Sequence, residues 1–189
     1  MRLFFMLGGN TMKNTTTRIL TEGALLVAAA VVLSLIPLFR MPWGGSIDLA
    51  MLPLLIYCVR RGMKNGLIAC FVFSIVQIII EGGVAIGWQS IIGDFIVAYT
   101  VLGFAGIFKG KYVPACLLGV GLRFLVHYVV GATIWAEYMP ESFFSMTMTT
   151  PWVYSALYNG AYLLPDLIAI LVIFAILMNT PAKKIIIAE

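Results

Sequence analysis

Long apolar runs separated by short polar segments occupy most of the chain between residues 18 and 178. A helix needs about 20 apolar residues to cross the hydrocarbon core of a bilayer, and most of the runs approach that length. Glycine, proline and basic residues mark the breaks between the runs, as is typical of helix ends and short loops. The pattern predicts six membrane-spanning helices, over about residues 18–37, 47–59, 66–80, 88–108, 113–135 and 152–178.

These runs leave no room for a separate soluble domain. We therefore predict an all-α integral membrane protein whose six transmembrane helices form one compact bundle over residues 17–182. Residues 1–16 are expected to form a cytoplasmic leader segment, in which Met12 is an alternative start to Met1. Residues 183–189 are expected to form a cytoplasmic tail.

The composition excludes a water-soluble globular protein. Hydrophobic residues make up 62% of the 189 and charged residues only 11%, whereas soluble domains carry roughly 25% charged residues. We therefore expect lipid to surround the helices, and we expect the protein to be a multi-pass protein of a bacterial plasma membrane.

The positive net charge of +4 reflects membrane topology rather than nucleic-acid binding, because the basic residues lie singly or in pairs at the ends of apolar runs. Short cytoplasmic loops carry an excess of lysine and arginine, which places both termini in the cytoplasm. In the six-helix threading, eight basic residues fall on the cytoplasmic side: Arg18, Arg60, Arg61, Lys64, Lys109, Lys111, Lys183 and Lys184. The opposite side carries Arg40, Glu81, Glu137 and Glu141.

Ionisable side chains within the predicted spans are candidates for function, because they are costly in lipid. Asp94, in the outer half of the fourth span, could neutralise a cationic ligand, accept hydrogen bonds from an amino-heterocycle, or form a structural ion pair with Arg123 or His127. Asp48 and Asp166 are further acidic candidates.

Four residues of the fifth span recur every four positions and therefore share one helix face: Arg123, His127, Gly131 and Trp135. Gly131 carries no side chain, so a flat ring could approach the backbone between His127 and Trp135. Arg123 lies deeper and is expected to be structural. A satisfied core histidine is the alternative role of His127.

An aromatic and amide cluster opens the sixth span and comprises Trp152, Tyr154, Tyr158, Asn159 and Tyr162. Tyr158 and Tyr162 could form an interfacial belt or line a pocket. Asn159 could recognise the nitrogens or the hydroxyl of a ligand. Trp43, in the first loop, could close over a cation or anchor the loop at the interface. Together with Asp94 these groups suit a flat cationic heterocycle.

Catalysis, metal binding and ATP hydrolysis receive no support from the residue pattern. Cys58, Cys70 and Cys116 stand alone in apolar stretches, and His127 has no identifiable nucleophile beside it. The chain also lacks a nucleotide-binding glycine motif. No cofactor is therefore expected, and any ATP-driven work requires a partner.

Ala24 and Ala28 give the first span a smooth face. Small residues at this spacing allow close helix–helix approach, either within the bundle or against another membrane subunit.

From about Thr21 onward, the chain resembles the thiamine-specific substrate-binding subunit, or S-component, of energy-coupling factor vitamin transporters. The motifs that carry the resemblance are Thr21-Glu22 before Ala24 and Ala28, Ser34 to Pro37, Arg60-Arg61-Gly62, His127 with Gly131 and Trp135, and Tyr154-Ser155 with Asn159-Gly160. Each motif is weak alone, whereas their order and spacing are specific.

The resemblance implies a thiamine pocket near the extracellular side formed by Trp43, Asp94, His127, Gly131, Trp135, Tyr154 and Asn159, with Asp48 as a less secure match. The family usually has glutamate and tyrosine where this chain has Asp94 and Phe95. The resemblance also implies docking through Ala24 and Ala28 to a transmembrane coupling protein that carries two ATPases.

Two other functions stay open at this point. The first is a relative that binds another vitamin or a precursor such as the hydroxymethylpyrimidine half of thiamine. The second is a membrane enzyme with His127 and Asp94 as its acid–base pair.

Overall fold

The computed structural model describes residues 11–42, 44–81 and 87–187, and these are mostly helical. Five helices among the described residues are long and apolar enough to cross a membrane. They are α1 (Thr11–Leu35), α2 (Met51–Glu81), α3 (Trp88–Phe108), α4 (Tyr112–Thr133) and α5 (Pro151–Met178). A short helix, α6, covers Ala182–Ile187 and so begins at the last residue of the predicted bundle and continues into the predicted tail. The predicted leader lies outside the described residues up to residue 10, and α1 begins at Thr11.

Helix α2 contains both the second and the third predicted span, and it is broken at Gly62. This glycine has φ 76° and ψ 177°, a conformation that side-chain-bearing residues rarely adopt. A Cβ built on Gly66 would lie 2.7 Å from the Cys58 sulfur, although eight residues of straight helix span about 12 Å. The chain therefore reverses at Gly62, and residues 51–61 pack beside residues 63–81 as a helical hairpin.

The predicted start of the second span at residue 47 is wrong. Ser46–Ile47 forms a short strand, β2, that pairs antiparallel with β1 (Phe39–Arg40). The carboxylate of Asp48 then accepts a hydrogen bond of 2.8 Å from the Ala50 N–H, which satisfies a backbone donor at the beginning of α2. The apolar pattern could not place the start of α2 correctly, because Ile47, Leu49 and Ala50 continue the hydrophobicity of the helix.

A second small hairpin precedes α5 and was also not predicted. Strands β3 (Ser142–Phe143) and β4 (Met146–Thr147) pair antiparallel. Phe144 and Ser145 form the turn with positive φ angles of 50° and 62°. The two hairpins are the only strands among the residues that the structure describes.

Helix α3 is irregular along its length. Residues Ile91–Val97 are π-helical and Val101–Phe108 form a 3-10 helix. Residues three apart eclipse in a 3-10 helix, so Gly103 and Gly106 lie on one side. A Cβ on either glycine would come within 2.5 Å of the backbone of α2. This close contact anchors α3 to the helical hairpin, and the π-helical segment turns Asp94 towards the other helices.

A buried charge cluster joins α1 to the turn of the helical hairpin. The Glu22 carboxylate forms ion pairs with the guanidinium groups of Arg60 and Arg61. Both arginine side chains are less than 10% exposed, and a buried charge is tolerated only when it is paired. The two arginines beside Gly62 therefore need an acidic residue in the first helix to neutralise their buried charges.

The faces of α1 differ in burial. Gly23, Val27 and Ala30 are buried against the bundle, and a Cβ on Gly23 would lie 2.8 Å from the Tyr57 hydroxyl. Ala24 and Ala28 are exposed. Internal packing therefore involves the neighbouring face of α1 and not these two alanine side chains.

Candidate functional site

A cavity of about 720 Å³ lies between the helices and beneath the turn of the β1–β2 hairpin. Eight of the nine predicted ligand-binding residues line it: Asp48, Asp94, Phe95, His127, Gly131, Trp135, Tyr154 and Asn159. The ninth, Trp43, lies outside the described residues. The sequence thus identified residues from four separate segments that meet at one cavity.

Asp94 is the hub of a hydrogen-bond network in the cavity wall. Its Oδ2 accepts from the Trp135 indole N–H at 2.8 Å and from the Ser90 hydroxyl at 3.0 Å. Its Oδ1 lies 3.0 Å from His127 Nδ1. Because Ser90 and Asp94 belong to α3 while His127 and Trp135 lie in and just after α4, the carboxylate fixes the distance between these helices.

His127 is held on both sides of its ring. Arg123 Nε donates to His127 Nε2 at 3.3 Å, so the ring proton belongs on Nδ1, where Asp94 accepts it. The Arg123 guanidinium carbon also lies 4.1 Å from the centre of the Tyr99 ring, which is cation–π geometry. Arg123 therefore positions His127, in agreement with its expected structural role, and it also lines the cavity.

The Asn159 amide is engaged within the protein. Its Nδ2 donates to the Ser155 carbonyl at 2.9 Å and lies 3.3 Å from the His127 carbonyl. Its Oδ1 accepts from the Tyr162 hydroxyl at 2.8 Å. A primary amide has two N–H donors and one carbonyl acceptor, so these bonds use both of its ends. Asn159 joins α5 to α4, which differs from the expected role of reading a ligand through this amide.

Gly131 permits the close packing of α4 on α5. A Cβ at this position would lie 2.4 Å from Ser155 Oγ and 3.4 Å from Asn159 Nδ2. Ser155 is fixed because its hydroxyl donates to the Tyr128 carbonyl at 2.8 Å. The space beside Gly131 is therefore occupied by Ser155, and the expected approach of a ring to this backbone needs correction.

Gly131→Ala is expected to destabilise the protein and to weaken ligand binding, because the new methyl group would displace Ser155 and separate α4 from α5. Overpacking of this kind costs about 1–3 kcal/mol. Adding Ser155→Ala should recover part of the loss, since the closest atom is then gone. Thermal unfolding of the two variants in detergent measures the effect, and a wild-type midpoint for Gly131→Ala would contradict it.

Acidic residues outnumber basic ones in the cavity lining. The carboxylates belong to Asp48, Glu81, Asp94 and Asp166, and the guanidinium groups to Arg40 and Arg123. Asp166 Oδ1 accepts from the Asp48 backbone N–H at 2.9 Å, which ties the end of the β1–β2 hairpin to α5. An excess of formal negative charge within low-dielectric walls favours a cationic guest.

Aromatic rings form the part of the wall that belongs to α5. Tyr154, Tyr158 and Tyr162 follow one another with ring centroids 5.7 and 6.0 Å apart. Phe143 of β3 packs edge-on against Tyr154 at 5.3 Å. Tyr162 is buried, and all three tyrosines line the cavity, so the interfacial-belt alternative does not describe them.

Several lining residues were not singled out as site candidates from the sequence, among them Gln77, Glu81, Ser90 and Tyr99. Gln77 and Glu81 stand four apart at the C-terminal end of α2, so they share a face. A glutamine within an apolar span is the signal that could have identified this wall. Among the described residues, no cluster of histidine, cysteine or acidic side chains could hold a metal ion.

Comparison with known proteins places this geometry in a family. Residues 20–186 match the family model described as thiamine transporter protein (Thia_YuaJ). The chain is 31% identical over 182 residues to the thiamine transporter ThiT of Bacillus subtilis, covering 87% of this chain and 92% of the relative. It is 23% identical over 193 residues to the thiamine transporter ThiT of Lacticaseibacillus paracasei, with 90% and 91% covered.

A solved structure of ThiT from Listeria monocytogenes superimposes with a TM-score of 0.77 at 25% identity, covering 89% of this chain and 97% of that one. The relatives are named as transporters, so the enzyme alternative is discarded and a multi-pass position in the cell membrane is confirmed. The sequence resemblance is confirmed as well, and the chain belongs to the thiamine transporter protein family, Thia_YuaJ.

Proposed function

We propose that this protein captures thiamine from outside the cell and serves as the substrate-binding subunit for its uptake. The observation that carries the proposal is the Asp94 carboxylate, which is held by His127 and Trp135 in a cavity lined by aromatic rings. Thiamine combines a cationic thiazolium ring with a neutral aminopyrimidine ring. A cavity of about 720 Å³ falls within the usual range of about 300–1,000 Å³ for small-molecule sites.

In this proposal the ligand-binding residues have different tasks. Asp94 supplies the negative charge opposite the thiazolium, while Trp135, Tyr154 and Phe95 supply ring surfaces, and Trp43 is proposed to contact the cation. The other four shape the cavity: His127 orients Asp94, Gly131 and Asn159 fix the packing of α4 on α5, and Asp48 holds the β1–β2 hairpin. Thiamine is the cargo, and no cofactor takes part.

Binding of thiamine to the purified protein in detergent tests the function directly. Calorimetry is expected to show one site per chain. Tryptophan fluorescence is expected to be quenched, because an indole that stacks on the ligand ring changes its environment. The hydroxymethylpyrimidine half of thiamine, which lacks the cation, is expected to bind more weakly. Absence of any heat and any quenching with thiamine would refute the proposal.

We further propose that the helical hairpin at Gly62 divides α2 into two crossings, giving six spans with both termini in the cytoplasm. The reversal at Gly62 supports this topology, because residues 51–61 and 63–81 run in opposite directions. Six spans also place the loops that are rich in lysine and arginine on one side of the membrane, which is the pattern expected of cytoplasmic loops.

Cysteine labelling with a membrane-impermeant thiol reagent distinguishes six spans from five. In intact cells, Glu141→Cys should be labelled, while Lys64→Cys and Lys111→Cys should react only after permeabilisation. Five spans would place Lys111 outside and Glu141 inside, so the reverse pattern would contradict the proposal. The three native cysteines are buried, which keeps the background low.

Energy for uptake is proposed to come from an energy-coupling factor module, which consists of a transmembrane coupling protein and two ATPases. The chain carries no nucleotide-binding motif of its own. The exposed alanines of α1, Ala24 and Ala28, offer a flat surface on which a partner helix can approach closely. These two residues are the proposed docking site.

A further inference from the structure

Gln77 stands out in the cavity wall because its amide is buried and unpartnered. The residue is 0% exposed, and neither its Nε2 nor its Oε1 has a hydrogen-bond partner among the described residues. The side chain lines the cavity on the wall formed by α2. A buried amide without partners is costly, so its presence at a cavity needs a physical reason.

The second primary amide of the cavity provides a direct contrast. Asn159 has both ends of its amide engaged by Ser155, His127 and Tyr162. Gln77 therefore presents the primary amide whose donors and acceptor are all available within the described lining. A guest that offers an adjacent donor and acceptor would satisfy both ends at once.

Gln77 lies on the face of α2 that borders the cavity. Phe73 precedes it by one turn and packs edge-on against Tyr99 with ring centroids 4.9 Å apart, and Glu81 follows it by one turn. Residues four apart share a helix face, so the face of α2 that packs on the bundle at Phe73 opens into the cavity at Gln77.

We propose that Gln77 is a specificity-determining contact whose amide pairs with the aminopyrimidine edge of thiamine. This inference rests on the proposed function. The Gln77 carbonyl accepts from the exocyclic amine, and the amide N–H donates to the neighbouring ring nitrogen. Glutamine pairs with the equivalent edge of adenine in the same way. The cationic thiazolium then binds beside Asp94. The neutral and the cationic ring of thiamine are therefore recognised by different walls of the cavity.

The test compares two ligands in two proteins. Wild type and Gln77→Met, an apolar change of similar volume, are titrated by calorimetry with thiamine and with a thiamine analogue that carries hydrogen in place of the pyrimidine amine. We expect Gln77→Met to weaken thiamine binding about 10- to 100-fold, because the bound amine loses its acceptor in a dry site. The affinity for the analogue should fall less than that for thiamine, since one of the two hydrogen bonds, from the amine to the Gln77 carbonyl, is already absent.

Thr100→Val is the matched control. The Thr100 hydroxyl is also buried without a partner among the described residues, but Thr100 does not line the cavity. Both variants remove an unsatisfied polar group, so neither should lower the unfolding midpoint of the ligand-free protein. Only Gln77→Met should alter thiamine affinity.

The outcomes separate this inference from the proposed function. Equal weakening of both ligands, or no weakening of thiamine, would overturn the role of Gln77 while leaving thiamine binding intact. A lowered midpoint of the ligand-free Gln77→Met protein would show a structural role instead. Gln77→Leu repeats the comparison if the first variant does not fold. Wild-type protein that binds neither ligand would overturn the proposed function itself.

Discussion

Asp94→Asn is expected to weaken thiamine binding about 100-fold, which corresponds to about 2.7 kcal/mol. The substitution removes the negative charge that is proposed to lie opposite the thiazolium. It also breaks the local network, because an amide cannot accept from Trp135, Ser90 and His127 as two carboxylate oxygens do. Removing one member of a buried charge pair typically costs 2–5 kcal/mol in binding. Calorimetry with purified protein measures the change.

Two variants serve as controls for the Asp94 prediction. Asp94→Glu keeps the charge and should retain most of the affinity. Glu137→Gln removes a carboxylate from an exposed position outside the cavity lining and should leave binding unchanged, as expected for a solvent-screened charge. Equal affinity of Asp94→Asn and wild type would show that the cation is not neutralised at this carboxylate.

The helical spans were predictable where apolar length alone determines the structure. The predicted spans at residues 88–108 and 152–178 agree closely with α3 and α5, because each is a mainly apolar segment long enough to cross a bilayer, with glycine, proline or polar residues at its ends. The irregular parts were not predictable. The π-helical turn around Asp94 and the 3-10 segment at Gly103 depend on contacts with α2 and α4, and such contacts join residues far apart in sequence.

In the cavity too, contacts within one helix were predictable from the sequence, whereas contacts between helices were not. A four-residue spacing brought His127 and Trp135 to one helix face, and the structure places both beside Asp94. Spacing along one helix could not reveal that Ser155 fills the space beside Gly131, since that contact is made by α5. Contacts between helices therefore determine which polar side chains form hydrogen bonds within the protein and which, like Gln77, have no hydrogen-bond partner among the described residues.

Ala24→Trp is expected to abolish thiamine uptake while leaving thiamine binding intact. Ala24 is exposed on α1 and does not line the cavity, so a large side chain there should not disturb the site. An indole would hold a partner helix away from the close distance that small residues permit. Uptake of labelled thiamine by cells or proteoliposomes that contain the coupling module measures transport, and calorimetry on the isolated protein measures binding.

The docking prediction depends on the position of the indole and not merely on its presence. Ala28→Trp, one turn along the same face, should reproduce the loss, whereas Ile168→Trp on the exposed surface of α5 should transport normally. A matched loss in all three variants would indicate a general defect in membrane insertion. Normal uptake by both alanine variants would exclude this face of α1 as the docking surface for the proposed coupling module.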